Sequence, residues 1–428
     1  MRLYIQGGSG IITPNHPVPL INNSRHSGML RKMYDDLEIN VVILEYNGER
    51  IAIVTLDLLY VGSVLTQSIR SRICDLYEIL PKNILITASH THFAPSTDPA
   101  KPKLGSVNAA YLQKVVKKSD QVIDAVCAQV PVEAGLAWGQ EKVGASIHRR
   151  FRWPWSVLKE GKVGWTVLKA SNPFGPIDPM VRVLVVTDKN KTPQAILWGY
   201  ACHPVGFPDH DGLTAEFPGV VRKHLRACFG QSVPIVFLQG FCGDLRPRLF
   251  PQLSLRKLFT LINRGPWWGA FVDIKAWRAW ADTIASAVER AVLASESMPI
   301  GRGFACAMSD IPPERFLVNW EGAPELRIQA LRLGEDCVLL GVSAEPSVEY
   351  ALSLSKYSAR VNWIPVGYCG DVFGYLPTET QRCQGGYEGD EYLSRVCSYG
   401  PLRPGLNKIW DQEMRSIMGR LDDLSFHD

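Results

Sequence analysis

The sequence predicts an α/β protein in which layered, mixed β-sheets are flanked by helices. Short apolar runs of strand length recur along the chain, and segments with helical spacing of apolar residues lie between them. Several of the runs are almost continuously hydrophobic, which is typical of strands that are covered on both faces. Strands of this kind that alternate with amphipathic helices favour sheets with helices packed outside them.

The strand-like runs share β-branched and other large apolar residues and end close to polar or glycine residues. They are 38–46, 49–57, 83–89, 181–188, 194–202, 234–240 and 336–345. The clearest helical patterns cover 66–80, 108–130 and 276–296. The tail from about residue 401 to residue 428 is expected to form a closing helix and a short disordered end.

One segment differs from the rest. Residues 247–281 form a Trp-rich insert with several basic residues. Its Trp277 and Trp280 continue into Ile284 and Val288 at helical spacing, which predicts a stripe that faces the core. The pair at 267–268 follows Gly and Pro and is expected in a loop, as a lip over a pocket or a surface for a partner.

Composition narrows the class of protein. The chain has 428 residues, of which 46% are hydrophobic and 21% charged, so it can bury a large core. No linker or repeat interrupts it, and a single domain over residues 1–428 is predicted. Lys and Arg are spread along a chain of net charge +4, which excludes the basic surface typical of nucleic-acid binding.

The cysteines and the N-terminal residues indicate the cellular compartment in which the protein is expected. No apolar run is long enough for a membrane helix, and residues 1–14 lack the apolar core of an export signal. The ten cysteines are scattered singly without CxxC pairs. Free thiols and a cytoplasmic location are therefore expected.

Chemically active residues collect immediately after the strand-like runs. His90 and His92, His203, Cys242 and Glu345 each follow a different run. In α/β sheets, ligands bind in the crevice outside the carboxyl ends of the strands. We therefore expect these residues, which are far apart in sequence, to share one site.

Three of these residues can form a metal site. If the strand continues past residue 89, His90 and His92 project from one face, although such a pair is also common on ordinary surfaces. His203 alone could equally be a core histidine, whereas Glu345 would be costly to bury unpaired. Two histidines and a glutamate suit Zn²⁺ with one position left for water, and they also suit iron or manganese.

Taken together, the motifs resemble the catalytic domain of the neutral, non-lysosomal ceramidase family. In order, "GIITP", "SHTHFAP", "SIHRR", "ACHPVG" with "LTAEFPG", "GFCGDLRP", "SAEPS" and "FGYLPTETQRCQGGYEGD" are similar to its successive motifs. The resemblance covers most of the chain. It implies a zinc-dependent enzyme that hydrolyses an amide bond.

The resemblance also implies roles for individual residues. His90, His203, Glu345 and Tyr375 match zinc ligands of the family. The residues that match those around the scissile amide are His92, Arg149 and Tyr387, and Cys242 matches the active-site serine. Arg149, His92 and the tyrosines are expected to stabilise the charge that develops on the acyl oxygen.

The chain departs from the family at three points. Cys242 replaces the serine, no export signal is evident, and the chain ends soon after the tyrosine segment. The expected catalytic domain therefore has no C-terminal β-sandwich. The amide chemistry is expected to persist, whereas the head group of the substrate is left open.

Cys242 has three possible roles. A thiol activated by zinc and a histidine would be a nucleophile. Alternatively, zinc-bound water attacks and Cys242 lines the pocket, or Cys242 is a further ligand or an inert core thiol.

The sequence thus predicts a zinc-dependent hydrolase of an N-acyl amide, ceramide or another acyl amide. The alternative is an acyltransferase or amide synthase, which would form an acyl-Cys242 intermediate from a thioester or amide donor. A homo-oligomer or a carrier-protein partner is compatible with either function. A binding protein that has kept only the fold is a third reading, against which the intact ligand set counts.

Overall fold

The structure is a computed structural model of the 428-residue chain. It describes residues 2–21, 29–153, 166–249, 272–301 and 303–423. Residues 250–271 of the predicted Trp-rich insert, which include Trp267 and Trp268, lie outside the described residues. The expected disordered end at 424–428 also lies outside them.

The helices alternate with strands along the described chain. The helices are α1 Gly62–Tyr77, α2 Ala109–Cys127, α3 Glu216–Phe229, α4 Ile274–Leu293, α5 Val348–Leu352, α6 Glu379–Gln384, α7 Tyr392–Val396 and α8 Leu406–Asp423. The strands are β1 Leu3–Ile11, β2 Lys32–Met33, β3 Glu38–Tyr46, β4 Glu49–Leu56, β5 Ile84–Ala88, β6 Val132–Lys142, β7 Ser146–Trp153, β8 Thr166–Asn172, β9 Met180–Thr187, β10 Pro193–Tyr200, β11 Gly212–Leu213, β12 Ile235–Gln239, β13 Leu245–Pro247, β14 Glu296–Met298, β15 Phe304–Ile311, β16 Leu317–Asn319, β17 Leu326–Leu333, β18 Cys337–Val342, β19 Glu345–Pro346, β20 Asn362–Val366, β21 Tyr375–Leu376 and β22 Gly400–Leu402.

Two mixed sheets form the frame. The larger has nine strands in the order β12-β10-β9-β6-β1-β3-β4-β5, with β14 paired to β6. The smaller has the order β15-β17-β18-β20. The pairs β4–β5, β10–β12 and β18–β20 are parallel, so the carboxyl ends of these strands point the same way within each pair.

The alternation of side chains along β3 shows how the layers stack. Val42 packs in a core shared with Leu339 of β18 and Ile364 of β20, which lies between the two sheets. Its neighbour Val41 faces the other way and packs with Ile123 of α2. Because side chains alternate across a strand, one continuous apolar run contributes to two cores. Each fully buried large apolar side chain stabilises the fold by about 1.5–3 kcal/mol.

Helices cover both outer faces. On the larger sheet, α1 and α2 pack near β3–β5, and α3 and α4 pack near β9, β10 and β12. On the smaller sheet, α8 buries Trp410 and Met414 against the strands. The predicted α/β class with layered mixed sheets and outer helices is confirmed.

Individual elements agree with the sequence patterns. Each predicted strand-like run corresponds to a strand, and the three helical patterns correspond to α1, α2 and α4. The predicted core-facing stripe on α4 is confirmed, because Trp277, Trp280, Ile284 and Val288 are all buried. The organisation of residues 1–428 as a single domain stays a prediction.

Candidate active site and metal centre

The candidate site lies where the carboxyl ends of strands from both sheets meet. His90, His203 and Cys242 follow β5, β10 and β12 of the larger sheet, and Glu345 follows β18 of the smaller sheet. His90, His203 and Glu345 are each about 1% exposed, and Cys242 is fully buried. The structure therefore brings together the residues that the positions after the strands predict.

The two sheets are joined at this end by backbone hydrogen bonds. The amide of Gly243 donates to the carbonyl of Pro346 at 2.8 Å, and the amide of Gly367 donates to the carbonyl of Gln239 at 2.8 Å. A Cβ atom on Gly243 would lie 2.6 Å from the carbonyl oxygen of Glu345. The glycine after Cys242 thus allows the loop to approach the segment that carries Glu345.

The two buried histidines face each other through their Nε2 atoms, which are 3.0 Å apart. His90 Nδ1 lies 2.9 Å from the carbonyl of Leu59, and His203 Nδ1 lies 2.9 Å from the carbonyl of Cys242. A carbonyl only accepts, so each Nδ1 carries a hydrogen and Nε2 is the ring nitrogen that faces the neighbouring side chains. Burial, with Arg149 nearby, lowers the pKa of His203 well below its usual value and keeps it neutral.

Glu345 completes the group. Its Oε2 lies 3.4 Å from His90 Nε2 and 3.6 Å from His203 Nε2. Its other oxygen, Oε1, accepts a short hydrogen bond from the hydroxyl of Tyr60, which also contacts Tyr392. Burial alone would raise the pKa of Glu345, but His90, Tyr60 and Arg149 hold that pKa below its usual range.

These donors fit a transition metal. Within the part of the chain that the structure describes, Oε2 of Glu345 is buried and accepts no hydrogen bond. When neither Nε2 carries a proton, two lone-pair nitrogens and a carboxylate oxygen at these distances repel one another unless a metal cation lies between them. Tetrahedral zinc separates nitrogen and oxygen ligands by about 3.4 Å, and zinc-bound histidines characteristically donate their other N–H to a carbonyl.

The histidine pair is held by a turn rather than by a strand. We expected His90 and His92 to share a strand face if the strand continued, but β5 ends at Ala88 and His90 has a left-handed φ of 63°. Such a conformation is costly for a residue other than glycine and persists only where its surroundings enforce it. The turn still brings the Nε2 atoms of His90 and His92 within 3.3 Å.

His92 lies closer to the metal-ligand set than the sequence indicates. The ligand atoms of His90, His92 and His203 all lie within 4.8 Å of one another. The resemblance gives His92 a role beside the scissile amide and not as a ligand. Its position next to the cluster suits an imidazole that accepts or donates a proton.

Arg149 links the cluster to the tyrosine segment. It is buried, donates from Nη2 to the Tyr375 hydroxyl at 2.8 Å, and pairs through Nε with Glu388 at 2.7 Å. Tyr375 lies opposite Glu345 in the short parallel pair β19–β21. Burial raises the pKa of Tyr375 well above its usual value, and the Arg149 guanidinium opposes that rise.

The predicted residue Tyr387 lies beside Tyr375. The two rings have centroids 5.6 Å apart in an edge-to-face arrangement. Tyr392 lies 4.8 Å from Tyr375 and 5.8 Å from Tyr387 by the same measure. The three tyrosine rings thus form an aromatic wall of the site. Arg150 supports this wall by pairing with Glu388 at 2.9 Å.

Cys242 lies beneath the histidines. Its Sγ is 3.1 Å from Tyr368 Oη, 3.1 Å from Gln239 Nε2 and 3.5 Å from His203 Nδ1. Burial raises the pKa of the thiol, although Tyr368 and Arg149 partly oppose this rise. His203 Nδ1 already donates to the Cys242 carbonyl, so it is not placed to take a proton from the thiol. These contacts favour the reading in which Cys242 lines the site.

Asp244 orients the surrounding segments. Its carboxylate accepts hydrogen bonds from Ser347 Oγ at 2.6 Å, the Val348 amide at 2.9 Å and Gln381 Nε2 at 2.7 Å. Burial would raise its pKa, but His148 and these donors lower the pKa of Asp244 to about 2. Asp244 therefore joins the Cys242 loop to the segments that carry Glu345 and Tyr375.

Several site residues were missed from the sequence. Tyr60, Tyr368 and Tyr392 contact the predicted residues, and Glu388 holds Arg149. Tyr368 follows β20. The pattern of functional residues directly after strands could therefore have identified Tyr368. The other tyrosines lie in apolar or helical surroundings that carry no comparable signal.

Comparisons with known proteins support the fold. A crystal structure of neutral ceramidase from Pseudomonas aeruginosa is similar over 99% of this chain and 75% of its own, with a TM-score of 0.75 and 16% identity. A structure of a ceramidase complexed with C2 is similar over 99% of this chain and 76% of its own, with a TM-score of 0.74 and 15% identity. No protein-family model and no curated protein sequence matches the chain. The chain therefore has a neutral ceramidase-like fold.

A search of the described helices found none that is both long and apolar enough to cross a membrane. The cytoplasmic location, the homo-oligomer and the carrier-protein partner stay predictions.

Proposed function

We propose that this protein is a zinc-dependent amidohydrolase that cleaves an N-acyl amide bond in a ceramide-like or related acyl amide. The observation that carries the proposal is the buried group of His90 Nε2, His203 Nε2 and Glu345 Oε2, whose three atoms lie close enough together to bind one cation. The neutral ceramidase-like fold supports the amide as the bond cleaved, since the two similar structures are ceramidases.

His90, His203 and Glu345 would hold the zinc ion, with Tyr375 as the further ligand that the family resemblance implies. A bound zinc ion supplies Lewis-acid polarisation and acidifies a water molecule. Glu345 stays ionised for this role because its pKa is held low. Arg149 favours the ionised form of Tyr375 by donating to its hydroxyl oxygen.

The chain's own residues would handle charge and protons. Arg149 is a buried cation whose position is fixed by Glu388, so it can stabilise negative charge that develops on the acyl oxygen without reorganising. His92 is placed to carry a proton to the leaving amine. Tyr375, Tyr387 and Tyr392 offer an apolar wall for an acyl chain and hydroxyl groups for the polar end.

Cys242 would line this site rather than attack the substrate. A nucleophilic thiol needs a depressed pKa and a nearby base, whereas burial raises the pKa of this thiol. The acyltransferase alternative depends on acyl-Cys242, and the contacts of the thiol with the described residues do not favour it.

The test uses the purified full chain loaded with zinc and a panel of substrates. The panel contains N-acylsphingosines of different acyl lengths, N-acyl amino acids and acyl thioesters, and released fatty acid is measured. We expect fatty-acid release from at least one acyl amide, lost in His203→Ala and kept in His16→Ala, which alters an exposed histidine. Metal-loaded protein that releases no fatty acid from any acyl amide would contradict the proposal.

Intact-protein mass spectrometry of the same reactions separates the two chemistries. Turnover without an acyl adduct, retained in Cys242→Ala, is the expected result. An acyl-sized mass gain that Cys242→Ala abolishes would replace hydrolysis with acyl transfer.

A further inference from the structure

A second group of metal-ligand side chains lies between α3 and α4. His224 Nε2 is 2.7 Å from Glu289 Oε2, and Cys228 Sγ is 3.9 Å from His224 Nε2 and 3.7 Å from Glu289 Oε1. These three ligand atoms lie within 4.8 Å of one another. None of these residues belongs to the candidate active site.

The local sequence accounts for the arrangement. His224 and Cys228 are four residues apart on α3, so they lie one above the other on the same face of the helix. Glu289 approaches from α4, which packs beside α3 in the same core. The local sequence around α3 gives no signal for this group, because the third member lies on another helix, 61 residues from Cys228.

The chemistry of the three donors suits a borderline-soft divalent metal. Imidazole nitrogen, thiolate sulfur and carboxylate oxygen are the three ligand types that Zn²⁺ takes in proteins. Tetrahedral zinc separates such ligand atoms by about 3.4–3.6 Å. To bind one ion, His224 Nε2 and Glu289 Oε2 would therefore have to separate by about 0.7 Å, whereas Cys228 Sγ needs to move by only a few tenths of an ångström. The side chains of His224 and Glu289 are 35% and 32% exposed, which leaves a path for the metal and a water-filled fourth position.

An ion pair explains only part of this geometry. The contact of His224 Nε2 with Glu289 Oε2 at 2.7 Å accounts for these two side chains. The thiol of Cys228 is directed at both members of the pair, although neither needs it to complete the ion pair. A bound metal explains why this soft sulfur donor converges on the same point as the imidazole nitrogen and the carboxylate oxygen.

We propose that His224, Cys228 and Glu289 form a second, surface transition-metal site that binds Zn²⁺ or a similar ion and clamps α3 to α4. Binding displaces the thiol proton of Cys228 and the Nε2 proton of His224 to solvent, and the metal then forms one bond to each of the three side chains. The clamp fixes the outer helical layer over β9, β10 and β12. This proposal does not rest on the proposed catalytic function.

The test exploits one difference in donor type between the two sites. The catalytic ligands proposed above contain no thiolate, whereas a thiolate ligand gives Co²⁺ an intense charge-transfer band in the near ultraviolet. Cobalt is titrated into the metal-free full chain carrying Cys242→Ser, so that the buried thiol beside the histidines does not contribute. Cys228→Ser and Cys383→Ser are then added separately, since Cys383 is the other exposed cysteine among the described residues.

We expect the thiolate band in the starting protein, its loss with Cys228→Ser and its retention with Cys383→Ser. Glu289→Gln should weaken cobalt binding at this site, and zinc should raise the melting temperature less in the Cys228→Ser protein. Absence of a thiolate band in the starting protein, or a band that Cys228→Ser leaves unchanged, would overturn the proposal. Loss of amide hydrolysis bears only on the catalytic site, so the two proposals fail independently.

Discussion

His90 and His203 present their Nε2 atoms to each other at 3.0 Å, while each directs Nδ1 to a backbone carbonyl. The two carbonyls hold a ring hydrogen on each Nδ1, so both Nε2 atoms are directed to the same point. Glu345 adds a carboxylate oxygen that accepts no hydrogen bond among the described residues. This arrangement suits a cation, and the metal-dependent predictions below rest on the proposal that one binds there.

Glu345→Gln should lose the metal without losing the fold. The amide keeps the shape and can still accept from Tyr60, but it removes the negative charge that faces the two histidines. Zinc affinity should fall by roughly 100-fold or more, since even residues that only orient metal ligands contribute 10–100-fold. Competition with a chelator of known affinity measures this change. Glu335→Gln, at an exposed position, should bind zinc as the wild type does; equal affinity in Glu345→Gln would contradict the ligand assignment.

Arg149→Lys should reduce kcat more than it changes KM. Arg149 donates to Tyr375 and Glu388 through a rigid fork, and a lysine ammonium cannot reproduce both contacts in that geometry. We expect kcat to fall by about 100-fold, the size typical of losing one charge-stabilising donor. Steady-state kinetics on the best acyl amide give both constants. Arg2→Lys, at an exposed surface pair, serves as control, and an unchanged kcat in Arg149→Lys would remove Arg149 from the mechanism.

Gly243→Ala should destabilise the protein at the junction of the two sheets. The new Cβ would lie 2.6 Å from the carbonyl oxygen of Glu345, so the Cys242 loop or the Glu345 segment has to move. We expect the free energy of unfolding to fall by about 1–3 kcal/mol, as for other overpacked sites. Urea unfolding measures it. Gly419→Ala on α8, where a Cβ meets nothing within 4 Å, should be neutral or stabilising by about 0.5–1 kcal/mol, as Gly→Ala is in helices.

Asp244 should make stability depend on acid pH. Its pKa is lowered from 3.8 to about 2 in the folded protein, so the ionised carboxylate stabilises the fold above the unfolded value and this contribution is lost as pH falls through the folded value. The contribution is about 2 kcal/mol at neutral pH, and about 1 kcal/mol of it is lost by about pH 3.

The difference in free energy of unfolding between wild type and Asp244→Asn measures this contribution. It should therefore shrink as the pH is lowered from about 6 to about 3. A difference that stays constant over this range would show that Asp244 is not held ionised by its neighbours.

Much of the fold follows from local sequence. The run at 38–46 is apolar on both faces, and β3 accordingly contributes Val41 to one core and Val42 to another. The position of polar residues after strands likewise predicts that His90, His203, Cys242 and Glu345 converge. That prediction also needs only local sequence, because the residues that directly follow a strand lie at the edge of the sheet where that strand ends.

Other features depend on contacts that no local pattern records. The left-handed conformation of His90 is imposed by its tertiary surroundings, and it replaces the strand continuation that we expected. The partnership of Tyr60 with Glu345 joins positions 285 residues apart. A tyrosine in an apolar run is normally a core residue, so its role emerges only when the two sheets are stacked.

The central claim is tested most directly by titrating zinc into metal-free protein while following hydrolysis of the best acyl amide. The Cys228→Ser variant is used so that only the proposed catalytic site binds the metal. We predict no turnover without metal and a linear rise that ends at one zinc ion per chain. Full turnover in the metal-free protein, or no turnover after one zinc ion has bound, would contradict the claim that this cluster is the catalytic centre.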